Sequence, residues 1–136
     1  MQLNTYLSFN GQCEEAFNVY AKCLGGKIAF MMKGGESPMA DKTPPELKNN
    51  VIHATLLFGD QVLMGADAPP QYYSTPQGFS VSISVKEVTE AERIFNELST
   101  GGTVKMPLEK TFWAERFGMF VDRFGTPWMI NCEGAR

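Results

Sequence analysis

Polar and apolar residues alternate from Leu3 to Phe9, with Thr5, Leu7 and Phe9 set against Asn4, Tyr6 and Ser8. That period predicts a half-buried strand, which Asn10-Gly11 turns. Beyond it the period lengthens. Cys13, Ala16, Phe17, Tyr20, Cys23 and Leu24 recur at three- and four-residue steps, the apolar stripe of a helix. Glu14 and Glu15 fall in its first turn, where negative charge suits the helix dipole. Gly25-Gly26 ends it, and a strand is predicted over Lys27 to Met32. Lys33 to Asn50 breaks the rhythm with Gly34-Gly35, Pro38, Pro44-Pro45 and several charges. It reads as a long mobile loop with a short helical turn near Pro45 to Lys48, a length more often functional than incidental. Strands follow at Val51 to Phe58 and Gln61 to Ala66 around the turn Gly59-Asp60, and Pro69, Pro70 and Pro76 mark a linker.

The second half repeats the plan. Phe79 to Val85 reads as a strand and Val88 to Leu98 as a helix with Val88, Ala91, Ile94, Phe95 and Leu98 on one side. Gly101-Gly102 ends that helix. Strands are predicted at Thr103 to Lys110, Phe117 to Asp122 and Pro127 to Cys132. Laying Gly25-Gly26 on Gly101-Gly102 also lays Asn4 on Ser80, so a β-α-β-β-β unit is used twice. The expected fold class is α+β: two βαβββ modules, about residues 1–68 and 77–136, forming a curved mixed sheet around a cavity. At 136 residues the chain is one domain's worth.

Strand parity divides the side chains into two sets. Val81, Ile83 and Val85 would pack on a helix, leaving Ser80, Ser82 and Ser84 on the other face. Ile52, Ala54, Leu56 and Phe58 fit one face of their strand, and His53, Thr55 and Leu57 the other. Trp128, Ile130 and Cys132 oppose Met129 and Asn131. Two readings are open for the polar faces: walls of a ligand cavity, or the solvated side of ordinary antiparallel sheets.

Composition narrows the chemistry. Lys and Arg number 12 against 15 Asp and Glu, a net charge of -3, so no nucleic-acid partner is expected. No apolar run reaches the length of a membrane span, and Met1-Gln2-Leu3-Asn4 has the features of no export signal, which points to the cytoplasm. Cys13, Cys23 and Cys132, without a C-x-x-C, read as free thiols in a reducing compartment. His53 is the single histidine. A Ser-His triad would have to use it, yet no G-x-S-x-G is present. No G-x-G occurs among the 13 glycines, so no dinucleotide or Rossmann-type methyltransferase fold is signalled.

The doubled layout, with His53-Ala54-Thr55-Leu56, Phe112-Trp113-Ala114, Phe117-Gly118 and above all Asp122-Arg123-Phe124-Gly125-Thr126-Pro127-Trp128-Met129-Ile130-Asn131, resembles the vicinal oxygen chelate superfamily of glyoxalases, dioxygenases and bleomycin-resistance proteins. Within it the chain is most similar to the PhnB-like branch. The resemblance implies a cavity fold, homodimers and, in metal-dependent members, His or Glu ligands at positions matching Asn4, Met64, Ser80 and Met129. None of these four suits a hard or borderline divalent ion. Methionine suits copper(I), although two methionines at this spacing are ordinary core filler. No metal at the usual positions and no cofactor are therefore expected.

The expected ligand-facing residues are Tyr6, His53, Thr55, Ser82, Trp113 and Met129. His53 and Glu115 are the candidates for chemistry. His53 is set against a plain structural role, Trp113 against simple packing, and Glu115 with Arg116 against a solvated or mutually paired couple. Asp122 to Pro127 reads as a structural turn, with Gly125 supplying a positive φ. Three functions compete: a metal-free small-molecule binder, a lyase or dioxygenase with a displaced metal at His53 and Glu115, and a partner-binding module using the long loop. A homodimer is expected because the first strand carries no charge or proline to blunt an edge.

Overall fold

A computed structural model describes residues 1–134. The chain divides into two compact units, Met1–Ser74 and the part from Thr75 onward. The first unit runs β1 (Thr5–Phe9), α1 (Cys13–Leu24), β2 (Lys27–Lys33), β3 (Val51–Phe58) and β4 (Gln61–Asp67). Its sheet has the order β1-β4-β3-β2, with β1 and β4 parallel and the other pairs antiparallel. The second unit runs β5 (Val81–Val85), α2 (Val88–Ser99), β6 (Thr103–Glu109), β7 (Arg116–Val121) and β8 (Pro127–Cys132), with the equivalent order β5-β8-β7-β6. Two βαβββ modules, each with a four-stranded mixed sheet and one helix, make an α+β fold, as the doubled period predicts.

Each helix covers one face of its own sheet. In α1 the stripe Cys13, Ala16, Phe17, Tyr20 and Cys23 is buried. It meets Leu7, Phe9, Ala54, Leu56 and Leu63, all buried, and Phe9, Phe17 and Tyr20 form an aromatic cluster with centroids 5.9 to 6.4 Å apart. In α2 Ala91, Ile94, Phe95 and Leu98 are buried, and Phe95 meets Phe120 edge to face at 5.1 Å. Trp128, Ile130 and Cys132 complete that core.

The glycine pairs do the same two jobs in both units. Gly25 and Gly101 adopt φ of 71° and 79° just past the helices. A Cβ on Gly26 would stand 2.9 Å from the Leu57 carbonyl oxygen, and one on Gly102 would collide with the Val121 carbonyl oxygen. The first glycine supplies the left-handed turn and the second lets the chain lie against the neighbouring strand.

One facing prediction fails. Ile52 is 47% exposed and Val51 is buried instead. Met32 pairs with His53 and Lys33 with Val51, so Ile52 is an extra residue in β3, and this irregularity shifts the parity by one. The segment after β2 is also more ordered than a featureless loop. Three short 3-10 turns, at Gly34–Glu36, Ala40–Lys42 and Pro45–Leu47, follow one another. Gly34 and Gly35 donate to Asn50 and Lys48 carbonyls at 2.9 Å each, fastening the two ends together.

Carboxylates hold two junctions. Asp67 accepts from the Cys13 N–H at 2.9 Å and the Val51 N–H at 2.8 Å, tying the start of α1 to the start of β3. Asp122 accepts from Phe124 N–H, Thr126 N–H and Trp128 Nε1–H at 2.9, 3.0 and 2.8 Å. The Asp122 to Pro127 segment is thus the structural turn expected, with Gly125 at φ 94°.

Candidate functional site

The sheet face turned away from α1 carries a row set by strand register. Tyr6 lies beside Met64, Met64 beside Thr55 and Thr55 beside Phe30. His53 is two residues from Thr55 on the same side of β3. The Tyr6 hydroxyl lies 3.1 Å from His53 Nδ1, and the Thr55 hydroxyl 3.2 Å from Nε2. The Tyr6 ring stacks on the imidazole at 5.7 Å and 27°, and Phe30 leans on it at 5.8 Å. Tyr6 is 52% exposed, so this group opens outward from the sheet.

Tyr6, His53 and Thr55, three of the residues expected to face a ligand, are therefore neighbours. Burial, and to a lesser degree the Cys13 thiol, hold the Tyr6 phenol above its ordinary value. The phenol stays protonated at neutral pH. A neutral imidazole has one donor and one acceptor nitrogen. A hydroxyl at each nitrogen makes a hydroxyl–imidazole–hydroxyl chain, and switching the ring tautomer reverses both bonds. Such a chain can orient a ligand group or relay a proton across about the width of one ring.

The equivalent face of the second sheet has a different row. Ser82 lies beside Met129, Met129 beside Met119 and Met119 beside Met106. Trp113, 48% exposed, packs on Phe112 at 4.7 Å and on Phe117 at 5.3 Å. Phe117 is two residues from Met119 on the same side of β7, so Trp113 borders this face. Glu115 does not pair with the Arg116 guanidinium, contrary to the mutual-pair reading. Arg116 donates to the Glu115 backbone carbonyl at 2.6 Å and reaches toward Glu92 at 3.9 Å. Glu115 borders an open pocket with Lys86, Glu87 and Thr89 around the start of α2, and its side chain lies against Gly134.

Sequence reasoning missed Phe30, Met119 and Met106. Ile28-Ala29-Phe30-Met31-Met32 is apolar throughout and shows no alternation, and an irregularity between Ile28 and Phe30 resets the face. The pairing of β6 is likewise irregular on both sides of Met106. Met119 lies in Phe117-Gly118-Met119-Phe120-Val121, which also shows no alternation.

The four positions that the resemblance offers as metal ligands carry residues that do not fit a divalent ion. The first unit offers Asn4 and Met64, and the second Ser80 and Met129. Neutral oxygens and thioethers bring no charge to offset stripping water from such an ion. Asp67, the nearest carboxylate in sequence to Met64, is committed to two backbone N–H groups. Among the described residues no three His, Cys, Asp or Glu side chains cluster as a metal site. Among the same residues no helix is long and apolar enough to cross a membrane.

Doubled βαβββ modules, each with one sheet face that its own helix leaves open, define the class to which comparison with known proteins then gives a family. Residues 1–131 match the model of the 3-demethylubiquinone-9 3-methyltransferase family, and the chain belongs to that family. It is 33% identical to protein YjdN of Escherichia coli K12 over 96% of this chain and 95% of the relative. Protein PA1353 from Pseudomonas aeruginosa is 47% identical with a TM-score of 0.91, covering 99% of each chain. The PhnB protein from Bacillus cereus, described with the same methyltransferase name, is 25% identical with a TM-score of 0.83, covering 99% of this chain and 100% of its own. The PhnB-like resemblance is thereby supported at the level of family and fold.

Proposed function

We propose that this chain is a small-molecule-binding protein of the vicinal oxygen chelate type, working without a divalent metal at Asn4, Met64, Ser80 and Met129. One observation carries the reading: the imidazole of His53 is flanked by the hydroxyls of Tyr6 and Thr55, at 3.1 and 3.2 Å, on a sheet face that no helix of its unit covers. Ligand pockets pair apolar walls with a few placed polar groups. Met64 and Phe30 are the wall here, and Tyr6, His53 and Thr55 the polar groups. Ser82, Met129 and the bordering Trp113 are assigned the same role on the second sheet. Methyl transfer, which the family's description names, is not assigned, because the chain has no glycine-rich loop and neither sheet is the doubly wound parallel kind.

Thermal-shift screening against metabolites and aromatic antibiotics, followed by calorimetry on each hit, tests this. Binding weakened at least tenfold by His53→Ala or Tyr6→Phe supports the reading. Hits indifferent to both substitutions overturn it.

A catalytic reading has one observation in its favour, the hydroxyl–imidazole–hydroxyl chain, in which His53 is a general acid–base group. The displaced metal at His53 and Glu115 has less support, since both ring nitrogens already have hydroxyl neighbours. Stoichiometric zinc, nickel, manganese or iron in native protein, retained on dialysis, would favour the metalloenzyme. The partner-module reading falls to the long loop, which with Ile52, Asp67 and Pro69 borders an open groove of about 390 Å³. We further propose a cytoplasmic homodimer. Cys13, Cys23 and Cys132 are all buried and no C-x-x-C is present, which suits a reducing compartment. β1 is an edge of its own sheet and carries neither charge nor proline. Sedimentation at micromolar concentration separates a 15.1 kDa monomer from a species of twice that mass.

A further inference from the structure

The second sheet carries an arrangement of which the ligand-binding reading uses only Met129. Met106, Met119 and Met129 occupy directly opposed positions on three adjacent strands, β6, β7 and β8. Opposed residues on neighbouring strands point to the same face, with Cβ atoms roughly 4.5–5.5 Å apart. That face is the one turned away from α2, because the flanking Phe120, Trp128 and Ile130 are buried on the helix side. The three are not core filler. Met106 is 43% exposed, and Met119 and Met129 are half-buried.

We propose that this methionine row is a binding site for a soft monovalent cation of the copper(I) or silver(I) kind. Three unbranched, flexible thioether arms rise side by side from a rigid sheet, and the central one, Met119, lies within reach of both neighbours. Thioethers are soft and neutral. They favour a soft d¹⁰ monovalent ion, which sheds its water easily, and they give no hold to zinc, magnesium or manganese. The site thus accepts one charge class and rejects divalent ions. The first sheet supplies an internal control. Its matching row, Tyr6–Met64–Thr55–Phe30, has a single thioether.

Silver(I), as nitrate in a chloride-free buffer, is titrated into the full chain labelled with ¹³C at the methionine methyl groups. Saturating shifts of the Met106, Met119 and Met129 methyls at one equivalent, with Met64 unmoved, are expected. Met119→Leu should weaken binding at least tenfold, and so should the more exposed Met106→Leu, which guards against a folding defect in the first variant. Zinc should shift none of the three. Shifts absent at one equivalent, affinity unchanged in both variants, or silver held only by the buried cysteines with the three methyls unmoved would each overturn the proposal.

Discussion

The two units match in the lengths of their first strand, helix and second strand, and differ in the side chains on the sheet face turned away from the helix. β1 and β5 are both five residues long, α1 and α2 twelve, and β2 and β6 seven. Leu7 and Phe9 pack under α1, and Ile83 and Val85 take the corresponding places under α2. The uncovered rows, by contrast, read Tyr6–Met64–Thr55–Phe30 and Ser82–Met129–Met119–Met106. Helix packing and chain reversal limit what the covered face accepts, since interiors are close-packed. The face turned away from the helix is not held to that packing by its own helix and can carry chemistry. Function in this fold is therefore sought where the two units disagree.

The largest expected effect lies where the second unit has a device the first lacks. In the first unit β3 and β4 are joined by the short turn at Gly59-Asp60, whereas β7 and β8 are joined by a loop gathered around Asp122. Asp122→Ala leaves three buried donors, Phe124 N–H, Thr126 N–H and Trp128 Nε1–H, without their acceptor. Each such loss costs about 1–3 kcal/mol, so a total of about 3 kcal/mol or more is expected in chemical denaturation. A loss under about 1 kcal/mol would mean that the turn is held by its backbone alone.

The shared plan is sharpened by a matched pair of substitutions. Gly102→Ala forces a Cβ into the Val121 carbonyl and the Asp122 backbone, which cannot yield cheaply. It should cost about 2–3 kcal/mol. Gly26→Ala meets the Phe58 ring edge first, which can swing aside, and should cost about 1–2 kcal/mol. A clear loss at one site and none at the other would break the equivalence of the two glycine pairs.

These glycines also show how much was legible. Gly25-Gly26 and Gly101-Gly102 reveal the repeat because two helices with the same terminator at the same offset are hard to mistake. Face parity in β1, β5 and β8, and in β3 from His53 onward, follows from alternation, and with it the meeting of Tyr6, His53 and Thr55. Reading stops where a strand inserts a residue. Ile52 in β3 and the irregularities beside Phe30 and Met106 change which side a residue faces, and no local pattern announces them. The pairing of Arg116 with Glu92 rather than Glu115 is equally silent in the sequence, since it depends on where α2 lies along β7.

The helix starts differ in a way that pH can read. Cys13 opens α1 and Val88 opens α2. Burial first, then the charges of Asp67 and Glu14, push the Cys13 thiol far above its ordinary value. A thiol in the unfolded chain ionises near pH ~8.5. The folded state keeps its proton, so this contribution is fully present below about pH 8.5 and declines as pH rises beyond it. Between pH 8 and 10 it should remove about 2 kcal/mol of stability. Cys13→Val, which installs the residue found at the matching position of α2, should flatten that alkaline slope. Native Cys13 should also resist thiol reagents at pH 8. Rapid modification without unfolding would contradict its burial.

The smallest expected change in stability is the one that bears most on function. His53 and Phe117 hold matching places, two residues before Thr55 and Met119 in the third strand of each unit. His53→Phe gives the first sheet the side chain that the second already carries there. The ring remains between Tyr6 and Phe30, and aromatic contacts of this kind are worth about 0.5–1.5 kcal/mol whichever ring makes them. The hydroxyls of Tyr6 and Thr55 lose a partner, but Tyr6 is 52% exposed and water can replace it. Stability should therefore stay within about 1 kcal/mol of the parent. Ligand affinity should not, because a phenyl ring can neither accept nor donate in place of the imidazole. A loss of at least tenfold, about 1.4 kcal/mol, is expected for any ligand that uses the first sheet. Circular dichroism melts and calorimetry on the same preparation separate the two effects. If both fall together, His53 is a structural residue, and the first sheet's uncovered face is no more specialised than the second's.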